Sequence, residues 1–253
     1  MRKSYHIPLS LVLLFIFSVD LKAQEGPEKT TAYGVSRETH LGGSRIYTFK
    51  NTDVVGSPLL NDEFKNGRFL FKSNNQSDIV PINYDLEQNQ ILYKKDGQIL
   101  ILENENIKGF SFELPDDFDS SENIQEVYTL ELTDKEFGFA ETIPVQVLYN
   151  QNGAIKLFAL HTVKFVRGNR QDPFTGKITN RYKNDTEYFL ETPDNKLHKL
   201  GRLRAKEIIK TIGGDSKKEL NSFIKQNDLD DKSQKDLVNL LAYYDKKITV
   251  SNQ

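Results

Sequence analysis

Between residues 46 and 200 the chain alternates apolar β-formers with polar residues in short runs, and turn residues separate the runs. The clearest run is Ile91-Leu92-Tyr93-Lys94-Lys95, then Asp96-Gly97, then Gln98-Ile99-Leu100-Ile101-Leu102. An Asp-Gly pair between two β-prone runs predicts a hairpin, because a type I′ turn needs positive φ at both central positions. A second hairpin is predicted over 145–157 with Asn152-Gly153 at its turn. A third joins Glu187–Leu190 to Lys196–Leu200 through Pro193-Asp194-Asn195. Further strands are predicted at Ile46–Lys50, Arg68–Lys72, Asp78–Tyr84, Ile107–Glu113, Gln125–Leu132 and His161–Val166. Short strands joined by tight turns indicate antiparallel sheets rather than βαβ units.

The period then changes. Ala205, Ile208, Ile209 and Ile212 fall on one helical stripe, and Gly213-Gly214 is expected to stop that helix. Ser216 and Glu219 fit a capping box ahead of Leu220, Phe223 and Ile224. Leu237, Leu240, Leu241 and Tyr244 form a third stripe, opened by Asp230-Asp231-Lys232-Ser233. Three stripes this narrow need a sheet to pack on. The expected class is α+β, mainly β: antiparallel β-sheets, as a sandwich or an open barrel, with a short C-terminal three-helix segment. The expected divisions are a signal peptide at 1–23, a flexible leader at 24–44, the β domain at 45–200, packed helices at 201–247 and a tail at 248–253.

The beginning of the chain changes the picture from fold to address. Arg2 and Lys3 form a positive start, Ile7 to Val19 is mostly apolar, and Ala23 followed by Gln24 offers a cleavage point. The apolar stretch covers 13 residues, short of the about 20 needed to cross a bilayer. Export is therefore expected, to the periplasm, the outer membrane or the medium, with no transmembrane span. An exported chain is allowed disulfides, yet this one has no cysteine. Its stability must come from burial and sheet hydrogen bonding, which the 230 residues left after cleavage can supply.

The absence of cysteine also excludes thiol nucleophiles, iron–sulfur clusters and thiolate zinc sites. After cleavage three histidines are left, His40, His161 and His198, none close to another in sequence. They read as ordinary strand or leader residues rather than as metal ligands or bases. Phosphate-binding glycine loops and the serine-nucleophile elbow are missing from the chain. The acidic run Asp116-Asp117-Phe118-Asp119-Ser120-Ser121-Glu122 lacks the glycine and distant glutamate of a calcium loop. Asn227-Asp228-Leu229-Asp230-Asp231 fails the same test and suits a helix cap. No metal, cofactor or catalytic residue is expected.

The net charge of −2 argues against a nucleic-acid partner. It hides an asymmetry, however: residues 101–142 hold 12 Asp/Glu against 2 Lys/Arg, and residues 161–211 hold 12 Lys/Arg against 6 Asp/Glu. Arg167, Arg170, Lys177, Arg181, Lys183, Arg202 and Arg204 are the candidates for a basic surface facing an unknown protein or an anionic envelope component. The competing reading is that these are solvated sheet edges guarded by charge.

Two stretches carry a resemblance. Gly56-Ser57-Pro58-Leu59-Leu60-Asn61, Asn66-Gly67 and Val80-Pro81-Ile82-Asn83-Tyr84-Asp85 resemble the N-terminal pattern of uncharacterised exported proteins of Bacteroidetes-type bacteria. Phe223-Ile224-Lys225-Gln226-Asn227, Asp236-Leu237-Val238 and Tyr243-Tyr244 are similar to the helical tail of the same group. The resemblance implies export from a Gram-negative cell and assigns no functional residue. The expected function is therefore a non-catalytic binding or structural protein of the cell envelope. Two alternatives stay open: an envelope hydrolase with carboxylates drawn from separate strands, and a carrier of an apolar ligand in a curved sheet.

Overall fold

A computed structural model describes residues 33–34, 39–41, 44–47, 50–51, 54–103, 106–113, 126–132, 142–151, 154–169, 171, 173–174, 176 and 178–251. They belong to one compact unit, Thr31–Gln253. The strands are β1 (Tyr33–Gly34), β2 (Thr39–Leu41), β3 (Ser44–Ile46), β4 (Lys50–Asn51), β5 (Val54–Val55), β6 (Lys65–Phe71), β7 (Val80–Asp85) and β8 (Gln90–Lys95). They continue as β9 (Gln98–Leu102), β10 (Ile107–Phe112), β11 (Glu126–Thr129), β12 (Val145–Tyr149), β13 (Lys156–Val166), β14 (Asn180–Glu191) and β15 (Leu197–Leu200). Three α-helices follow: α1 (Ala205–Ile212), α2 (Lys217–Gln226) and α3 (Gln234–Ser251).

Thirteen of the described strands form one sheet, in the order β15-β14-β13-β12-β11-β10-β6-β7-β8-β9-β3-β2, with β5 beside β14. The protein is mainly β, and this sheet is antiparallel but for the β5–β14 pair. Tight hairpins explain most of the order. At Asp96-Gly97 both residues have positive φ, 51° and 75°, and Lys95 faces Gln98 across the turn, as the Asp-Gly signal predicts.

The sheet rolls until β14 and β7, far apart in strand order, are joined by residues 54–60. Val54 and Val55 pair with Asn180 and Arg181, and Leu59 forms a bridge to Asp85. Gly56, at φ 85°, lets the chain pass Tyr182, since a Cβ there would sit 3.1 Å from the Tyr182 carbonyl oxygen. The Tyr182 hydroxyl donates to Glu87 at 2.9 Å, tying the same seam.

The face of the sheet that carries Phe110, Phe112 and Tyr128 is packed with Phe69, Ile82, Tyr84 and Ile91. Phe110 stacks on Tyr128 at 4.8 Å between ring centres. Farther along the same face, Leu157, Ala159 and Leu190 meet the three helices through Ile208, Ile209, Ile212, Leu220, Leu237, Leu240 and Leu241. Every apolar stripe predicted for the tail thus contributes to this core. On the opposite face Val145, Phe158, Leu160 and Phe189 form a smaller cluster.

Several local expectations give way. Strands β1, β2 and the start of β3 lie within 24–44, where aperiodic polar sequence predicts a loose leader. Backbone pairing to the sheet edge, Ile46 opposite Leu100, needs no apolar pattern. Strand β14 starts at Asn180 rather than Glu187, because the polar run Arg181–Thr186 is held by the β13 backbone. Helix α3 continues through Ser251, past the expected end at 247. Ser216 makes no side-chain cap, and Glu219 instead accepts from the Tyr243 hydroxyl at 2.5 Å and pairs with Lys247. Tertiary partners outcompete the capping box at that position.

Candidate functional site

Strands β13 and β14 pair in unbroken register from Lys156 opposite Glu191 to Val166 opposite Arg181. At one end both faces are covered, by Leu157, Ala159 and Leu190 under the helices and by Phe158, Leu160 and Phe189 on the other side. The other end is bare on the face of Lys164 and Val166, while on the opposite face Tyr182 is buried against the seam of Gly56 and Glu87. Phe165 pairs with Tyr182 on one face, while Lys164 opposite Lys183 and Val166 opposite Arg181 share the other.

The bare end collects apolar surface. Six large hydrophobic residues are exposed among the described residues, and five of them, Val55, Phe165, Val166, Phe174 and Ile178, belong to this end and its connecting turn. Phe174 is 94% exposed. Val55 joins through its pairing with Arg181, and Ile178 through its bridge to Gln171. The sixth, Ile79, stands apart before β7. Scattered exposed residues are ordinary, and five of six at one end of one hairpin is a concentration.

The same end collects positive charge. Arg167, Arg181 and Lys183, three of the seven predicted basic residues, are exposed here, and Lys164 joins them. Lys164 and Lys183 are direct cross-strand partners, an arrangement that repels in water. The ion pairs found among the described residues involve none of these four groups. Arg170 and Lys177 lie outside the described residues, as do Ala23, Gln24 and the acidic run 116–122. Arg202 and Arg204 sit elsewhere, in the turn between β15 and α1, beside a shallow pocket of about 370 Å³ that Lys206 and Glu207 also line. Glu187 interrupts the basic surface by binding Lys199 at 2.7 Å. The seven residues therefore do not form one patch.

His161 marks the boundary between the covered and bare ends. Its ring nitrogens lie 3.1 Å from the Thr186 hydroxyl and 2.8 Å from the Gln146 side-chain oxygen. Burial lowers its pKa below the ordinary histidine value, with the charge of Glu126 acting in the opposite direction. His198 faces Leu190 from β15, and His40 faces Arg45 in the β2–β3 pair. The three histidines occupy separate strands, and no group of three or more His, Asp or Glu among the described residues could hold a metal ion.

Carboxylates and tyrosines meet at the rolled seam. Asp85 is buried, with Oδ1 accepting the backbone N–H groups of Glu87 and Gln88 at 2.9 Å and Oδ2 accepting the Tyr47 hydroxyl. Burial raises the pKa of Asp85, and burial likewise raises that of Tyr182, helped by its bond to Glu87. Asp85 thus braces the turn at Glu87–Gln88 and holds the Tyr47 hydroxyl, a structural use of a buried carboxylate. A groove of about 410 Å³ crosses β6, β10, β11 and β12 on the outer face, over Leu70, Val127 and Val147. Its charged rim is internally paired, Arg68 with Glu113 and Lys108 with Glu131, both at 3.3 Å. Such a rim offers no acid and base converging on one point.

No known family model, curated protein or solved structure matches this chain. The site must therefore be judged on its own geometry. Sequence reading found the basic residues but missed Phe165, Val166 and Phe174. The stretch Val163-Lys164-Phe165-Val166-Arg167 reads as an ordinary strand, and no sequence signal says which end of a strand its neighbours leave uncovered.

Proposed function

We propose that this chain is an exported, non-catalytic protein of the cell envelope that docks through the outer end of the β13–β14 hairpin. The observation that carries this reading is the gathering of five exposed apolar residues with Lys164, Arg167, Arg181 and Lys183 at that end. The signal-like start of the chain and its resemblance to exported Bacteroidetes-type proteins support the address. The paired rim of the groove and the structural engagement of Asp85 favour binding over hydrolysis. Packing of Phe69, Phe110, Phe112 and Tyr128 against one another fills the described core of β6–β11, which disfavours a carrier built around that region. No described helix is long and apolar enough to cross a membrane, so attachment through a surface is the reading that needs least addition.

The test is fractionation of an exporting host that makes the wild type or a Val166→Thr/Phe174→Ser double variant. The wild type should sediment with envelopes and the variant should move to the soluble fraction. Equal retention of a folded variant would remove the hairpin from the docking role.

A further inference from the structure

We infer that the occupant of the hairpin end is an anionic lipid bilayer, entered edge-on by the tip of the hairpin; the inference rests on the docking reading above. At this level β5 lies beside β14, so the end of the hairpin is three strands wide. Here Phe165 lies on one face, Val166 lies on the other, and Phe174 stands at the connecting turn. Val55, Val166, Phe174 and Ile178, exposed around this end on more than one side, suit a medium that envelops its tip, as the interfacial region of a bilayer does.

Charge complementarity selects anionic headgroups. Lys164 and Lys183 oppose one another, one rung from Phe165 and Tyr182, and Arg181 lies one rung beyond, opposite Val166. Rungs are about 3.4 Å apart, so these cations occupy the level of the headgroups once the turn reaches the acyl boundary. Long basic side chains can bury their stems there and keep their charge in the polar layer. The repulsion between the two lysines in water falls when phosphate groups come between them. Cations near an anionic leaflet act together with apolar insertion, and either alone gives weak attachment.

Flotation with vesicles tests the inference, using the processed protein recovered from an exporting host. One set of vesicles holds phosphatidylglycerol with phosphatidylethanolamine, and the other phosphatidylcholine alone. Binding should favour the anionic set by about tenfold at a Debye length of about 10 Å, and fall steeply when salt shortens that length to about 3 Å. Lys164→Glu/Lys183→Glu and Val166→Thr/Phe174→Ser should each lower anionic binding by about tenfold. All variants are recovered in the same processed form, so any lipid affinity of the shared remainder of the chain cancels in the comparison between them. The chain has no tryptophan, so Phe174→Trp supplies a single reporter whose emission should shift to the blue on anionic vesicles and stay unchanged on the neutral set. It also answers the question if a double variant fails to fold.

Absence of vesicle binding, with envelope retention still dependent on the hairpin, would overturn the lipid inference and point to a protein or glycan, leaving the docking reading intact. Loss of hairpin dependence in both assays would overturn both. Charge-dependent binding without a shift at Trp in position 174 would overturn edge-on entry.

Discussion

Strands β13 and β14 are partners along eleven rungs, yet their two ends are built on different principles. Near Leu157 and Leu190 the ribbon is clamped between the helices and a second apolar cluster, so side chains stabilise it from both faces. Beyond His161 and Thr186 the ribbon is held by its backbone ladder, by β5 and by buried Tyr182, while Phe165, Val166, Lys164 and Lys183 face solvent with Asp185 beside them. The difference separates a region held by side chains on both faces from one held by the backbone ladder and the seam to β5. A surface costly to expose in water and unnecessary to the core is where binding is expected.

Substitutions along the ribbon can break or sharpen this contrast. The largest effect is expected from Leu190→Ala at the clamped end. Leu190 is fully buried, and its truncation should lower the unfolding free energy by about 2–5 kcal/mol, seen as a lower urea midpoint at unchanged slope. A cost below about 1 kcal/mol, the scale of an ordinary surface change, would mean that this end is no better packed than the other.

Next comes the polar anchor beneath the helices. The Tyr149 hydroxyl donates to buried Asp245 at 2.9 Å, and burial, reinforced by that carboxylate, raises the tyrosine pKa. Tyr149→Phe should cost about 1.5–3 kcal/mol, as for a hydrogen bond to a charged group. An unchanged thermal transition would show that the helices are held by apolar contact alone.

At the boundary, His161 should make stability depend on pH. Its folded pKa is below the ordinary value of 6.5, so the unfolded chain binds more protons between the two values. Its contribution is complete above pH 6.5 and is lost as the pH falls through the folded value. Urea midpoints at about pH 7.5 and about pH 5 should therefore differ less in His161→Asn than in the wild type. Identical pH slopes in the two proteins would remove His161 as the source.

The smallest effect belongs to the bare end. Lys183→Thr removes the repulsion with Lys164 and should stabilise the fold by about 0.2–1 kcal/mol while weakening attachment to the envelope. Destabilisation on the scale of a core truncation would mean that the outer hairpin belongs to the folding core, and the contrast between the ends would collapse.

Most of the architecture was legible because its signals are local. Positive φ at Asp96 and Gly97 follows from the turn those residues favour. The burial of Ile208, Ile209, Leu237 and Leu240 follows from helical spacing alone. The candidate site was half legible. Arg167, Arg181 and Lys183 were visible as charges, but Arg202 and Arg204, near them in sequence, belong to another surface. Glu219 looked like a capping residue until Tyr243 and Lys247, a helix away, claimed its carboxylate.

The sequence by itself determined a β body with a helical tail and a domain without disulfides, because periodicity, turn chemistry and composition act over a few residues. Only the tertiary structure decided that residues 54–60 close the rolled sheet, that Asp85 braces a turn, and that β13 and β14 are covered on both faces at one end and exposed along Lys164 and Val166 at the other. Those outcomes depend on which distant segments reach each face, and the polar run Arg181–Thr186 carries no pattern that could announce its partners. The backbone ladder that holds this run is indifferent to side-chain identity, which is why its surface was free to become apolar and basic.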